Sequence, residues 1–231
     1  MATEFISNSW LMPTNANAEA NRVSNYSLDF DGTGYIELGT SVDLGVNSTI
    51  SLWLKSSSGN LNNTVIGEDT YQYDYLFSIA SASNEANIRI GSVVKIFTVT
   101  EINDGNWNHW CIVRSGDSIE LFVNNTSKGT QTGYGTGTNT KFHIIGAEGD
   151  FQFPINGKIT EISGFDYSLS SLQVTELYGT GSAIGNPMAI TNGRKPVAYY
   201  PLGNAAFNGE FLVPNGAEQD YVFDFDGNDK I

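Results

Sequence analysis

Carboxylates, two histidines, a single cysteine and a set of loop tyrosines are the residues in this 231-residue chain that can do chemistry. Retaining glycan cleavage needs two carboxyl groups about 5 Å apart. Residues two apart on a strand share a face, so such a pair reads as Glu-x-Asp-x-Glu, and no such run occurs. Asp29 and Asp31 are two apart, but a tight turn follows them and they recur as Asp224 and Asp226. That pattern fits turn and strand-end hydrogen bonding. Glu161 stands alone in Thr160-Glu-Ile-Ser163. No serine or cysteine sits in a Gly-x-Ser-x-Gly context, and no Cys/His cluster has zinc spacing. Gly133-Tyr-Gly-Thr-Gly137 lacks the lysine and following helix of a phosphate loop and reads as a flexible rim loop. The expectation is a chain that is not an enzyme.

Binding chemistry is better represented. Glu68-Asp69 and Glu148-Gly-Asp150 put hard oxygen donors on loops, the ligand type that calcium takes. Tyr71, Tyr73 and Tyr134 lie in Gly/Asn/Thr-rich stretches, where an exposed ring beside polar groups offers a sugar platform; they are the candidate glycan contacts. Asn-x-Ser/Thr triplets at Asn25, Asn47, Asn62, Asn124 and Asn125 read as background in an Asn-rich chain.

The elements that must position these groups are strands. Thr49-Ile-Ser-Leu-Trp-Leu54 alternates apolar with small or polar residues, and Ile88-Arg-Ile90, Ile119-Glu-Leu-Phe-Val123 and Phe142-His-Ile-Ile145 are further short runs between Gly/Asn/Asp/Ser clusters. Asn124-Asn125 is a tight-turn candidate. His143 alternates with Phe142 and Ile144 and so faces away from both. One helix stands out: Ser170-Ser-Leu-Gln173 is a capping-box pattern, Leu172, Val174, Leu177 and Tyr178 supply an apolar side, and Gly179 stops it. Strands of period two from packed sheets give an all-β, two-sheet antiparallel sandwich with one short helix.

The net charge of −14 makes nucleic acid a poor partner. No apolar run is long enough for a membrane span. Cys111, inside Trp110-Cys-Ile-Val113, has no second cysteine to pair with and reads as a small buried hydrophobe. Residues 1–25 read as an extended polar arm, 26–180 as the module and 181–196 as a Gly/Asn/Pro linker. Residues 197–231 read as the start of a second similar module, because Tyr26-Ser-Leu-Asp-Phe-Asp-Gly32 returns as Tyr221-Val-Phe-Asp-Phe-Asp-Gly227. Trp10-Leu-Met-Pro13 and Phe211-Leu-Val-Pro214 precede the two copies. The alternative for the last segment is an assembly strand that pairs with another copy.

Taken in order, Leu28-Asp-Phe-Asp-Gly-Thr-Gly-Tyr-Ile-Glu-Leu38, Ile50-Ser-Leu-Trp-Leu-Lys55, Ile102-Asn-Asp-Gly-Asn-Trp-Asn-His-Trp-Cys-Ile-Val-Arg114, Ile119-Glu-Leu-Phe-Val-Asn-Asn125 and Phe153-Pro-Ile-Asn-Gly-Lys-Ile-Thr-Glu-Ile162 resemble the laminin-G-like branch of the concanavalin A-like jelly-roll superfamily. The resemblance covers about 26–180. It implies a jelly-roll sandwich and a structural His109, and Trp53, Trp107 and Trp110 read with it as core aromatics rather than sugar platforms. It also implies calcium at the sandwich rim, with Asp74 of Asp74-Tyr-Leu-Phe77 and Asn139 as ligands and Asp69 and Asp150 as further acidic candidates.

Two functional readings follow. The first is a non-enzymatic virion surface protein of fibre, spike or decoration type, its lectin-like module binding glycan or protein and its partners being other virion proteins or itself. It rests on a repeated surface-recognition module and on an N-terminus, Met1-Ala-Thr-Glu-Phe-Ile6, without a basic then apolar leader. The alternative is a secreted or cell-surface carbohydrate-binding or adhesion module. An accessory domain of a polysaccharide-degrading enzyme is a third reading.

Overall fold

The computed structural model describes residues 27–56, 63–68, 75–80, 84–180 and 184–202. Among them, two antiparallel sheets stack face to face. The first runs β1 (Leu28–Asp31), β12 (Asn156–Phe165), β3 (Asn47–Ser56), β8 (Asn108–Ser115), β9 (Ser118–Val123) and β10 (Thr126–Thr132), with β13 (Ala198–Tyr200) also on β12. The second runs β2 (Ile36–Gly45), β11 (Thr140–Ile145), β4 (Asn63–Gly67), β5 (Tyr75–Ala80), β6 (Glu85–Ile90) and β7 (Val93–Thr98).

Period-two alternation decides what each strand buries. On β3, Ile50, Leu52 and Leu54 enter the core between the sheets. On β8, paired to it with Leu52 opposite Trp110, Trp110 and Ile112 do the same. Trp53 and His109, also opposite each other, occupy the other face. That face is covered in turn. Cys111, Val113, Phe122 and Phe165 form a second apolar cluster with Val174 and Leu177 of α1 (Ser171–Tyr178). Trp53 stacks on Tyr178 with centroids 5.8 Å apart. Trp53 and Trp110 are therefore core residues, each in a different layer, whereas Trp107 is 36 % exposed and does not join the core. Burial pushes the Cys111 thiol pKa up, which leaves it inert.

The helix starts and stops where its local chemistry dictates. The Ser170 hydroxyl accepts from Gln173 N, the Gln173 side chain accepts from Ser170 N, and Gly179 caps the end at φ 69°. Leu172 is 76 % exposed, however, and does not belong to the apolar side. It lies two residues from Val174, which at about 100° per residue puts it on the opposite face. Asn124 and Asn125 both take positive φ, as a two-residue hairpin turn requires, and join β9 to β10.

Residues 184–202 pack on this sandwich. Gly185 N donates to Leu177 O, Met188 is buried, and Asn186 caps a short 3-10 turn at Pro187–Ala189, so this stretch packs on the helix. Ala198–Tyr200 then pairs with Ile162–Gly164 of β12, a strand of this same sandwich. It fits because Thr160 and Glu161 bulge β12, with Glu161 at φ 57°, and Pro201 O takes bonds from Glu161 N and the Thr160 hydroxyl. The arm at 1–25 and the second copy, Tyr221–Gly227, lie outside the described residues.

Candidate functional site

One rim of the second sheet carries a polar cleft of about 400 Å³, lined by Ser41, Glu68, Gly137, Thr138, Asn139 and Lys141. Asp43 organises it. Its carboxylate accepts Gly45 N at 2.9 Å, which bends the chain between β2 and β3, and accepts the Asn139 amide at 2.9 and 3.0 Å. Lys141 Nζ stands 3.6 Å away. Partial burial opposes the charge on Asp43, but the Asn139, Gly45 and Lys141 contacts outweigh it and hold its pKa below the usual carboxylate range. The cleft thus presents hydroxyl, amide, ammonium and carboxylate groups.

The backbone behind the cleft is fixed by Arg114. This guanidinium is buried and donates to Gly116 O, Thr140 Oγ1 and Gly135 O. Asp117 completes the clamp by accepting Gly135 N and Gly133 N, bonds that hold its own pKa down. Tyr134 is consequently no exposed sugar platform, and its loop is bonded to Asp117 through the glycines on either side. Gly133 and Gly135 take positive φ so that both N–H groups reach Asp117 while the Tyr134 ring turns inward, 4 % exposed, into the main core.

A second loop is tied to β4. Gly146 N donates to Val65 O, Thr64 N donates to Phe153 O, and Thr64 bridges Pro154. Gly67 lies so close to Ala147 that a Cβ there would meet its carbonyl oxygen at 2.4 Å. The loop therefore leaves β4 at Val65, passes over Gly67, next to Glu68 of the cleft, and returns to β4 at Thr64. Asp150 sits on it and accepts Gln152 N at 3.3 Å. Glu148 is buried at its start, while Phe151 stacks on Tyr35 with centroids 4.3 Å apart.

Of the residues named from sequence, Asn139 lies in the cleft and Asp150 on this second loop. Asp69, Tyr71, Tyr73 and Asp74 lie outside the described residues. Among the described residues no group of three His, Cys, Asp or Glu side chains is placed to hold a metal ion. Asp43, Ser41 and Lys141 were missed. The available signal was the Asp43-Leu-Gly45 turn, whose partner Asn139 is ninety-six residues away.

The groups with catalytic chemistry are used structurally. Ser51 Oγ and His109 Nε2 are 2.8 Å apart, the separation of a nucleophile and its base. Both are buried, and His109 Nδ1 has no partner to orient it. Burial lowers the His109 pKa to about 3, so the ring stays neutral beneath Tyr178. Glu161 is buried and accepts the Tyr199 hydroxyl. Asp29 pairs with Lys158, and Asp31 caps the turn at Thr33. His143 faces away from Phe142 and Ile144, 3.6 Å from Glu37. No helix among the described residues is long and apolar enough to cross a membrane.

Residues 30–175 match the laminin G family described as the concanavalin A-like lectin/glucanases superfamily. The chain belongs to that family. Among curated proteins, none matches the sequence. Two solved structures share the laminin-G-like fold at low identity. A heptameric SAP-like pentraxin from Limulus polyphemus is 19 % identical with a TM-score of 0.55, over 76 % of this chain and 90 % of that one. A Bacteroides ovatus protein proposed to bind carbohydrate is 14 % identical with a TM-score of 0.55, over 76 % of this chain and 50 % of that one. The laminin-G-like jelly roll expected from the motif order is thus the observed fold.

Proposed function

We propose that this laminin-G-like module binds carbohydrate without cleaving it, as a secreted or cell-surface domain. The observation that carries the reading is the cleft at Ser41, Thr138, Asn139, Lys141 and Glu68, where fixed polar groups face solvent on a lectin-like fold. The likeness to the Bacteroides ovatus protein supports it. These findings favour a carbohydrate-binding module over a virion role, for which the fold offers no argument.

Calcium belongs to this proposal only in part. A calcium ion takes six to eight oxygens. Within the described residues the cleft offers the Glu68 carboxylate and the Asn139 amide oxygen, and beside them the Asp43 carboxylate, already bonded to Asn139 and offset by Lys141. A calcium site would need Asp69 and Asp74 to complete it. Asp150, on the other loop, is a separate candidate.

The test is titration of the chain against a panel of neutral and acidic oligosaccharides by calorimetry, in calcium and in chelator. Saturable binding that falls at least tenfold in Asn139→Ala and in Lys141→Ala is expected. Absence of binding across the panel in both conditions refutes the reading.

A further inference from the structure

The loop along β4 holds a conformational anomaly that the cleft does not use. Phe151 and Phe153 take φ of 64° and 51°, the left-handed region. For a bulky side chain this is an outlier that costs on the order of 1–2 kcal/mol per residue. Glycine or asparagine would sit there at less cost, yet both positions carry a benzyl group. Neither ring has been drawn into the sandwich core. Phe151 leans on Tyr35 in a near-parallel stack, 11° between planes, and Phe153 is 42 % exposed. The loop cannot relax the strain by sliding, because both of its ends are tied to β4. Gly146 N is bonded to Val65 O, Phe153 O to Thr64 N, and inside it Glu148 N to Gln152 O and Phe151 N to Glu148 O.

We infer that this strained aromatic loop is a stacking subsite for neutral pyranose rings, and that together with the polar cleft it selects an oligosaccharide over a single sugar. The inference rests on the carbohydrate-binding reading and specifies its ligand. An aromatic face pairs with the C–H face of a pyranose whose hydroxyls are equatorial, an apolar contact that a rigidly displayed ring makes with little loss of freedom. Strain held by surrounding bonds is how a fold presents a group that it would otherwise bury or leave loose. The spacing sets ligand length. The loop's two tie points, Gly146 at Val65 and Phe153 at Thr64, lie side by side, and Phe153 is therefore three residues along β4 from Gly67, which precedes Glu68 of the cleft. Three residue steps along a strand span about 10 Å, longer than one sugar ring. Charge sets ligand class. Asp150 is on the same loop, Glu37 is on β2 beside Tyr35, and the chain carries a net charge of −14, so a sialylated or sulfated glycan meets repulsion where a neutral one does not.

The test uses the full chain with glucose, cellobiose, cellohexaose, xylohexaose, laminarihexaose and 3′-sialyllactose as probes. Affinity and melting temperature are measured for wild type, Phe153→Asn and Phe153→Trp. The expected result is that a neutral hexasaccharide binds at least tenfold more tightly than its monosaccharide and than sialyllactose. Phe153→Asn should lose at least tenfold in hexasaccharide affinity while its melting temperature holds or rises, because asparagine tolerates the left-handed backbone. Phe153→Trp should keep binding. If wild type binds a hexasaccharide and Phe153→Asn binds it equally well, the subsite is refuted and the carbohydrate reading stands. A Phe153→Asn protein that loses melting temperature along with affinity also overturns it, since the ring would then be structural. If wild type binds none of the probes, both fall.

Discussion

Acidification between pH 7 and pH 5 should weaken this fold through one residue, His109. Its ring is fully buried, its Nε2 meets Ser51 Oγ at 2.8 Å, and its Nδ1 has no partner. Burial holds the folded pKa at about 3, against 6.5 for a free imidazole. Below pH 6.5 the unfolded chain takes up a proton that the folded chain refuses. Stability therefore falls with pH from about 6.5 down to about 3, at up to about 1.36 kcal/mol per unit. Integrated from pH 7 to pH 5 the loss is about 2 kcal/mol, or about 4–8 °C in melting temperature for a domain of this size. The carboxylates held below their usual range, Asp31, Asp43, Glu101 and Asp117, contribute the same sign only at lower pH. Urea unfolding at pH 7, 6 and 5 would be compared for His143→Gln and for the double variant His109→Gln/His143→Gln, so that His109 is the only histidine that differs. The pH dependence of the two should differ by about 2 kcal/mol. A difference under about 0.5 kcal/mol would mean that the buried imidazole does accept a proton, and the reasoning fails.

Other expectations are quicker to check. Gly146→Ala places a Cβ 2.7 Å from the Phe30 ring at a φ of 94°, and should cost about 2–4 kcal/mol in urea unfolding. Ser170→Ala removes the hydroxyl that accepts Gln173 N and should cost about 1 kcal/mol, read as a shift of a few degrees in melting temperature. Cys111 should resist a thiol reagent in buffer and react in full in denaturant; rapid labelling of the folded chain would contradict its burial. If calcium binds, a concentration ten times its Kd should stabilise the chain by about 1.4 kcal/mol. An unchanged melting temperature at millimolar calcium would dismiss it.

What the sequence makes legible here is local. The capping box at Ser170, the paired positive φ at Asn124 and Asn125, and the alternation that buries Leu52 between the sheets and Trp53 on the opposite face each depend on neighbours a few residues away. What it hides is contact between distant segments. Asn139 was singled out as a ligand, but the carboxylate that holds it, Asp43, was not. Tyr134 looked exposed because glycines surround it, whereas those glycines exist to let Asp117 seize the backbone and drive the ring inward. Gly185 to Met188 has a linker's composition, yet packs on a helix that no local pattern connects to it. Phe151 and Phe153 gave no sign of their left-handed backbone, because strain is imposed from outside by the bonds to Thr64 and Val65.

The pairing of β12 has a topological consequence. Tyr200 lies opposite Ile162 and Leu28 opposite Ile159, both antiparallel to β12, whose other edge is taken by β3. β13 and β1 therefore occupy the same lane, point the same way and follow one another, with the Glu161 bulge at the seam. The two ends of the described sandwich, Ser27 and Leu202, therefore adjoin. A short splice from Leu202 to Ser27 would merge the two strands into one and close residues 27–202 into a ring. New termini could then be opened in a surface turn such as Asn124-Asn125 without rearranging either sheet. The same adjacency makes the sandwich easy to insert into a loop of a host domain, because a host needs to offer only two closely spaced attachment points.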